Sequence, residues 1–357
     1  MPPLRAGIIG LAWIAANPPD PAPAVALGVR HPYSHAAAYD QLPDTEVVAI
    51  CDVLPHAREA FVARWATRWP RLRAYDDYRR MLADADLDLL SICTPDHLHA
   101  DMVVAACEAG VKGIVLEKPL ATTIRDADRI MAAAERHGVR LSVEHTRRWV
   151  YEYQAMRRLI REGAIGRLAR INATLNGERA MLFRNGTHLI DLITFFADSD
   201  PVWVMAALDE DFDAYPPRYA GDGGRDPKTD PGALGIIAFA NGVRAVYQGS
   251  QGTQAQTSLE VIGEQGWIHA GIASHDFRVY LPGPDGPYDI VSRSLPRHAT
   301  TRGGVLGAVG EMVDLITVGG ETLSPAHEAR RGVEIMLGFL QSHRRDGARV
   351  YMPVQDE

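Results

Sequence analysis

Val115-Leu116-Glu117-Lys118-Pro119 is an apolar run that ends abruptly in a carboxylate, an ammonium and a ring-locked residue. The apolar part reads as a strand, and in a parallel α/β sheet ligands collect at the carboxyl ends of strands. A Lys placed there rarely serves packing, because a buried ammonium is costly unless paired. Glu117-Lys118 is therefore the first candidate for chemistry. The fold follows from what lies on either side of it.

Upstream of the run Lys112–Leu116 stand three comparable apolar segments, Arg5–Ile9, Glu46–Cys51 and Asp88–Cys93, and downstream stands Val139–Val143. Unbroken Val/Ile/Leu runs of this length suit strands buried on both faces of a parallel sheet. Helical patterns fill the gaps at Pro55–Trp69, Asp76–Ala83, Asp96–Ala109 and Thr123–His137. Thr94-Pro95-Asp96 and Gly110 are expected to bracket the third helix, and Thr122 or Thr123 with Gly138 the fourth. This alternation predicts a doubly wound, Rossmann-type α/β domain over residues 1–145.

Residues 146–357 read differently. A helix at Tyr151–Glu162 and a strand at Arg167–Leu175 precede a helix at about Gly186–Phe196. Mostly strands follow, with Asn241-Gly242 as a hairpin signal. An α+β domain with a largely antiparallel open sheet is expected, serving substrate binding and oligomerisation. Two late helices, Val305–Val318 and Pro325–His343, are expected to pack back towards the first domain. Two stretches resist regular assignment: 17–33, which carries Pro18, Pro19, Pro21 and Pro23, and the acidic, Gly- and Pro-rich 209–231. Long irregular loops are usually functional.

At 357 residues with 46% hydrophobic and 23% charged content, the chain reads as an ordinary globular protein of two domains. A net charge of −8 argues against nucleic acid, whose phosphates call for clustered Lys and Arg. Cys51, Cys93 and Cys107 have neither disulfide-framework nor zinc spacing, which fits a reducing cytoplasm. The run Ala6–Ala16 superficially resembles a secretory signal but reads better as a buried strand and turn. No apolar run approaches the ~18 residues of a membrane span.

The first strand runs into Gly10-Leu11-Ala12-Trp13-Ile14-Ala15, a G-x-A-x-x-A version of the dinucleotide fingerprint. Gly10 can make the tight turn, whereas Ala12 adds a methyl where backbone must approach a pyrophosphate. A small-residue strand-to-helix turn would look the same. Asp52 ends the second strand, where an acidic residue bonds a ribose hydroxyl and disfavours a 2′-phosphate. It stands forty-two residues after Gly10 rather than the usual ~20, an excess that the Pro-rich stretch accounts for. NAD is thus favoured over NADP, with a turn residue as the plainer reading of Asp52.

Histidines come next. His97 and His99, like His31 and His35, lack the further ligands of a metal site, so no metal is expected. Asn185-Gly186-Thr187-His188-Leu189-Ile190-Asp191 puts His188 in the first turn of a helix, with Asp191 on the same face. A satisfied core histidine is the competing reading there.

Taken together, Gly10, Asp52, Thr94-Pro95-x-x-x-His99, Glu117-Lys118-Pro119, Arg147-Arg148-Trp149, Gly163-x-x-Gly166 and Gly186-Thr187-His188-x-x-Asp191 resemble the Gfo/Idh/MocA family of oxidoreductases. The tail Gly347-x-x-Val350-x-x-Pro353 also matches its pattern. The resemblance implies NAD(P)-dependent hydride transfer at a secondary alcohol of a sugar, polyol or cyclitol, in a homodimer or homotetramer. Lys118 would polarise the reacting oxygen and His188 exchange the proton. Gly10, Ala12, Trp13, Ile14, Asp52, Thr94, Pro95, His99, Glu117, Lys118 and Arg148 would surround the cofactor. Arg184, Asp191 and Arg147 are the expected substrate contacts. One departure concerns the position four before the histidine, where many members carry Asp and this chain has Arg184; it could receive an anionic group. A non-catalytic dinucleotide or sugar sensor and a dihydrodiol-type reductase are the alternatives on the same scaffold.

Overall fold

The aliphatic runs form six short strands, β1 (Leu4–Ile9), β2 (Thr45–Cys51), β3 (Arg73–Tyr75), β4 (Leu89–Ile92), β5 (Gly113–Leu116) and β6 (Arg140–Val143). All pair in parallel, in the order β3-β2-β1-β4-β5-β6. The structure is a computed structural model and describes residues 2–17, 34–221, 226–272, 275–295 and 302–356. The prolines of 17–33 and His31 lie outside them, as do four residues of 209–231. Strand order reverses between β1 and β4, so the carboxyl ends of β1, β4, β5 and β6 border the crevice where doubly wound sheets bind ligands.

Connecting helices are α1 (Trp13–Ala16), α2 (His35–Asp40), α3 (Pro55–Trp65), α4 (Tyr78–Ala85), α5 (His99–Glu108) and α6 (Ile124–His137). Thr123 caps α6 by accepting the Asp126 N–H at 3.0 Å, and Gly138 ends it in the left-handed region at φ 65°. The cap expected from Thr94 or Asp96 does not form: α5 begins after Leu98 without a side-chain cap. The Asp96 carboxylate is drawn away by the Tyr219 hydroxyl at 2.9 Å. β3 escaped notice in the sequence because it is three residues long with two exposed.

The second half contains α7 (Tyr151–Arg161), β7 (Leu168–Asn176), α8 (Thr187–Ala197), β8 (Pro201–Leu208), β9 (Ala233–Phe239), β10 (Arg244–Ser250), β11 (Gln256–Gly263), β12 (Gly266–Gly271), β13 (Asp276–Gly283), β14 (Gly286–Ser294), α9 (Gly304–Thr317), α10 (Ala326–His343) and β15 (Val350–Tyr351). The nine strands run β14-β13-β12-β11-β7-β10-β9-β8-β15. All pairs are antiparallel but one: β7 and β10 lie parallel at the centre. A parallel pair needs a long crossover, which α8, β8 and β9 supply. On one face α10 buries Val333, Met336, Phe339 and Leu340, while Val202, Leu234 and Ile236 stay exposed. α9 lies on the first sheet, its Val305, Leu306, Val309 and Met312 packing with Ala6, Ile8, Val47 and Val115.

One buried cation joins the two halves. Arg148 sits in a 3₁₀ turn (Thr146–Trp149) just after β6 and is wholly buried. Its Nε donates to both oxygens of Asp191 on α8 at 3.0 Å, and Nη2 to Oδ1 at 2.7 Å. Nη1 reaches Glu328 of α10 and the Leu323 carbonyl. Breaking a buried pair from one side strands the other charge, so Arg148→Met should cost about 3–5 kcal/mol. The check is urea unfolding, where the double variant Arg148→Met/Asp191→Leu should recover much of the loss. An unchanged midpoint in the single variant would remove Arg148 from this role.

Candidate active site

Strand ends set the positions of the first-domain groups. At the end of β1, Gly10 turns with φ +81°, and a Cβ there would stand 2.7 Å from the Cys93 carbonyl oxygen. No other residue allows β1 and β4 to close so tightly at the crevice. The Asp52 carboxylate, following β2, accepts the Leu11 N–H at 2.8 Å through Oδ2 and the Leu54 N–H at 2.9 Å through Oδ1. It thus holds the glycine turn against the end of β2. Each oxygen keeps a second lone pair.

A cavity of about 990 Å³ opens beside this turn. On the first-domain side Ala12, Trp13, Ile14, Thr94, Pro95, Glu117 and Lys118 line it. On the second-domain side it meets Arg179, Arg184, Asn185 and His188. The space is of the size expected for a cofactor and small-ligand cleft.

Below its floor lies a chain of buried polar groups. Tyr39 OH and Ser91 Oγ are 2.8 Å apart, Ser91 Oγ and His35 Nδ1 2.9 Å, and His35 Nε2 and Glu117 Oε1 3.4 Å. Burial would raise Glu117, but the His35 contact and the Lys118 charge outweigh it and hold the group at about 2. Its neighbour Glu144, at the end of β6, is pushed far up by burial and by the Glu117 charge. One proton therefore resides on Glu144 between two carboxyl groups, a division typical of close acid pairs. His35, Glu117 and Glu144 also place three donor atoms within 4.8 Å of one another.

Lys118 extends from the end of β5 to donate from Nζ to the Arg184 carbonyl at 2.7 Å. Burial lowers its pKa, opposed by Glu117 and Asp96. The accepting carbonyl sits in a wide turn, Leu182–Gly186, where the Gly186 N–H donates to the Met181 carbonyl five residues back. Such π-type turns recur at functional sites. Asp230 clamps it from below, accepting Phe183 N–H at 3.0 Å and Arg184 N–H at 2.8 Å. Burial raises Asp230 to about 7 against those two donors.

The acidic stretch 209–231 is built into this region through its described parts. Phe183 stacks on Tyr219 at 3.9 Å between centroids, Tyr219 holds Asp96, and the Gly221 carbonyl lies 2.5 Å from His97 Nδ1. The segment thus bridges the end of β4 to the turn before α8.

His188 occupies the first turn of α8, as its sequence position predicts, with Gly186 at the cap. Burial drives its pKa well below the usual 6.5, reinforced by Arg147, Lys118, His145 and Arg184. Its Nδ1 and the Oε1 of Glu144 are buried without a hydrogen-bond partner among the described residues. His145, edge-on to His188 at 6.2 Å, is itself lowered to about 4, chiefly by burial. Its Nδ1 lies 3.3 Å from Asp191, and its Nε2 3.4 Å from Thr187 Oγ1.

Three expected ligand contacts stand behind the cavity instead. Arg148 and Asp191 are consumed by their ion pair, and His99 is fully buried, its Nδ1 facing the Pro119 carbonyl at 3.0 Å and its Nε2 the Thr94 carbonyl at 3.2 Å. They shape the site from beneath. Arg147 keeps its Nε and Nη1 buried and acts electrostatically on His188. Glu144, Arg179 and Asn185 line the cavity without having been singled out in the sequence. Glu144 was findable by the rule that picked Glu117, since it too follows a strand of the parallel sheet.

The pieces fit a dinucleotide: a turn closed to any Cβ, an acidic residue at the end of β2, and a roomy cleft between them and the start of α8. Comparison with known proteins agrees. Residues 25–145 match the "Oxidoreductase family, NAD-binding Rossmann fold" and 153–269 the "GFO/IDH/MocA C-terminal domain". D-apiose dehydrogenase of Paraburkholderia graminis is 29% identical over 277 residues, 71% of this chain and 67% of that protein. Inositol 2-dehydrogenase of Salmonella typhimurium is 30% identical over 164 residues, 46% of this chain and 43% of that protein. The crystal structure of an oxidoreductase domain protein from Kribbella flavida superposes with a TM-score of 0.78 at 21% identity, covering 99% of this chain and 100% of that one. The chain belongs to the Gfo/Idh/MocA family of NAD-binding oxidoreductases.

Proposed function

We propose that this oxidoreductase interconverts a secondary alcohol and a ketone on a sugar, polyol or cyclitol, with Lys118 and His188 at the chemistry. The observation that carries the reading is the shared cavity, lined both by an imidazole that burial keeps unprotonated and by an anchored ammonium. The sugar and cyclitol dehydrogenases among the relatives support the substrate class.

Gly10, Ala12, Trp13, Ile14, Thr94, Pro95 and Glu117 would hold the cofactor along the first-domain wall, with Asp52 at the adenosine ribose. Bound there, NAD supplies the two-electron acceptor for the carbon-bound hydrogen. His188 takes the hydroxyl proton, a role its depressed pKa suits because the ring stays unprotonated at neutral pH. The Lys118 ammonium stabilises alkoxide character as the C–O–H bond ionises. Its tether to the Arg184 carbonyl fixes where that charge stands. In the reverse direction the same two groups polarise the carbonyl and return the proton.

The chain assembles as a homodimer or homotetramer in a reducing cytoplasm. Supporting this are the exposed Val202, Leu234 and Ile236 on the open sheet face and three buried free cysteines. No described helix is long and apolar enough to cross a membrane. The acidic net charge disfavours nucleic acid as a partner.

Lys118→Ala and His188→Ala are each expected to lower kcat by at least ~10²-fold, in line with loss of an acid–base or charge-stabilising group. NAD affinity by calorimetry should hold; near-normal turnover in either variant would sink the assignment. Because His188 is depressed, alcohol oxidation should keep its activity as pH falls through 6.5, with the acid limb of kcat/KM well below that value. Arg147→Gln should move the limb upward, and an acid limb at or above 6.5 in the parent would contradict the neutral-base role. Asp52→Ala should weaken NAD binding and relax discrimination against NADP, so unchanged selectivity would take Asp52 out of the ribose site.

A further inference from the structure

Lys118 takes its position from a residue far from it in sequence. Its Nζ donates to the Arg184 carbonyl at 2.7 Å, so whatever sets that carbonyl also sets the ammonium. The carbonyl belongs to the wide turn Leu182–Gly186, and the leading N–H groups of a helical turn have no partner inside it. Here the first three go to one distant dipeptide. Leu182 N–H donates to the Pro231 carbonyl at 2.8 Å, Phe183 N–H to Asp230 Oδ1 at 3.0 Å and Arg184 N–H to Asp230 Oδ2 at 2.8 Å.

Asp230 is itself held in place. It is wholly buried, and its main-chain carbonyl accepts Gln251 Nε2 at 2.6 Å, the same amide also reaching the Pro227 carbonyl at 3.2 Å. Gln251 follows directly on β10, one of the two central strands of the second sheet. The turn also rests on Tyr247 of that strand, where a Cβ on Gly186 would stand 2.3 Å from the tyrosine oxygen. It therefore has no room to drop towards the sheet, and lifting away would break the bonds to Asp230. Protonated or ionised, the Asp230 carboxyl keeps a lone pair on each oxygen, so this hold does not lapse around neutral pH.

Resting on the dehydrogenase reading above, we propose that Asp230 is a positioning residue for the reaction: by gripping two N–H groups of the wide turn it aims the Arg184 carbonyl, and with it the Lys118 ammonium, at the reacting oxygen. Asp230 lies behind the turn and acts through Lys118. A displacement of about 1 Å at a reacting group costs as much as ~10²-fold in rate. Loss of the grip therefore belongs in kcat, not in binding.

The test is Asp230→Asn, which keeps the shape but turns an amide NH₂ towards one of the two donors. NADH formation is followed with the fastest substrate of a panel that includes apiose and inositol. The variant should lower kcat at least ~10-fold while substrate KM and NAD affinity by calorimetry stay within about 2-fold of the parent. In a Lys118→Ala background the same change should alter the remaining turnover by less than about 2-fold, because its effect runs through the missing ammonium. A crystal structure of Asp230→Asn should show Nζ parted from the Arg184 carbonyl. Equal losses in both backgrounds, a retained Lys118–Arg184 bond, or a lower melting temperature with parent kcat per NAD-binding site would each overturn the positioning role. Should Asp230→Asn not fold, Gln251→Leu loosens Asp230 without touching its carboxyl; the same pattern is expected at smaller size, and parent kcat there would refute the role. Near-normal turnover in Lys118→Ala would instead remove the dehydrogenase reading, whereas loss there beside parent turnover in Asp230→Asn removes only the positioning.

Discussion

An ammonium drawn out of water has to be held by something, and here it is a main-chain carbonyl on the other domain. Lys118 leaves β5 and finds the Arg184 oxygen, so the ammonium is fixed by the wide turn before α8 rather than by its own strand. That turn is in its turn fixed by Asp230 from below and by the Phe183–Tyr219 stack from the side. The same dehydration that makes Lys118 need an anchor keeps His188 neutral. Burial of so many titratable groups is costly unless each has an assigned state, and the network biases those states: Glu144 is pushed up, Glu117 held down and His188 pushed down.

Much of this was legible in the sequence. The doubly wound sheet could be read because apolar runs and glycine stops repeat at short intervals, and because long crossovers leave few other arrangements. Glu117-Lys118 and His188 stood out because charged groups at strand ends and helix starts rarely serve packing. Harder to read were pairings between distant segments. Nothing in the local pattern around Arg148 or Asp191 tells that they spend their charges on each other, since the partners lie 43 residues apart. His99 looked like a cofactor contact because Thr94 and Pro95 precede it at a strand end, yet its ring is turned inward to backbone carbonyls. The parallel pairing of β7 with β10 was invisible for the same reason, being set by where α8 returns the chain.

Glu144 teaches a different lesson. It closes β6 as Glu117 closes β5, and the two strands are neighbours, so two carboxyl groups are brought together at the crevice. A reading that takes each strand end alone sees one acid at a time. Only the strand order reveals that the Glu117 charge bears on Glu144 and pushes it up.

The stretch 209–231 read in sequence as a long irregular loop of functional kind, and the contacts of its described parts make it a tie-bar. Tyr219 and Gly221 fasten it to the end of β4 in the first domain, and Asp230 fastens it to the turn before α8 in the second. A cleft laced shut along one side does not open like a book. Cutting the lace at Tyr219 would convert a fixed slot into a hinge.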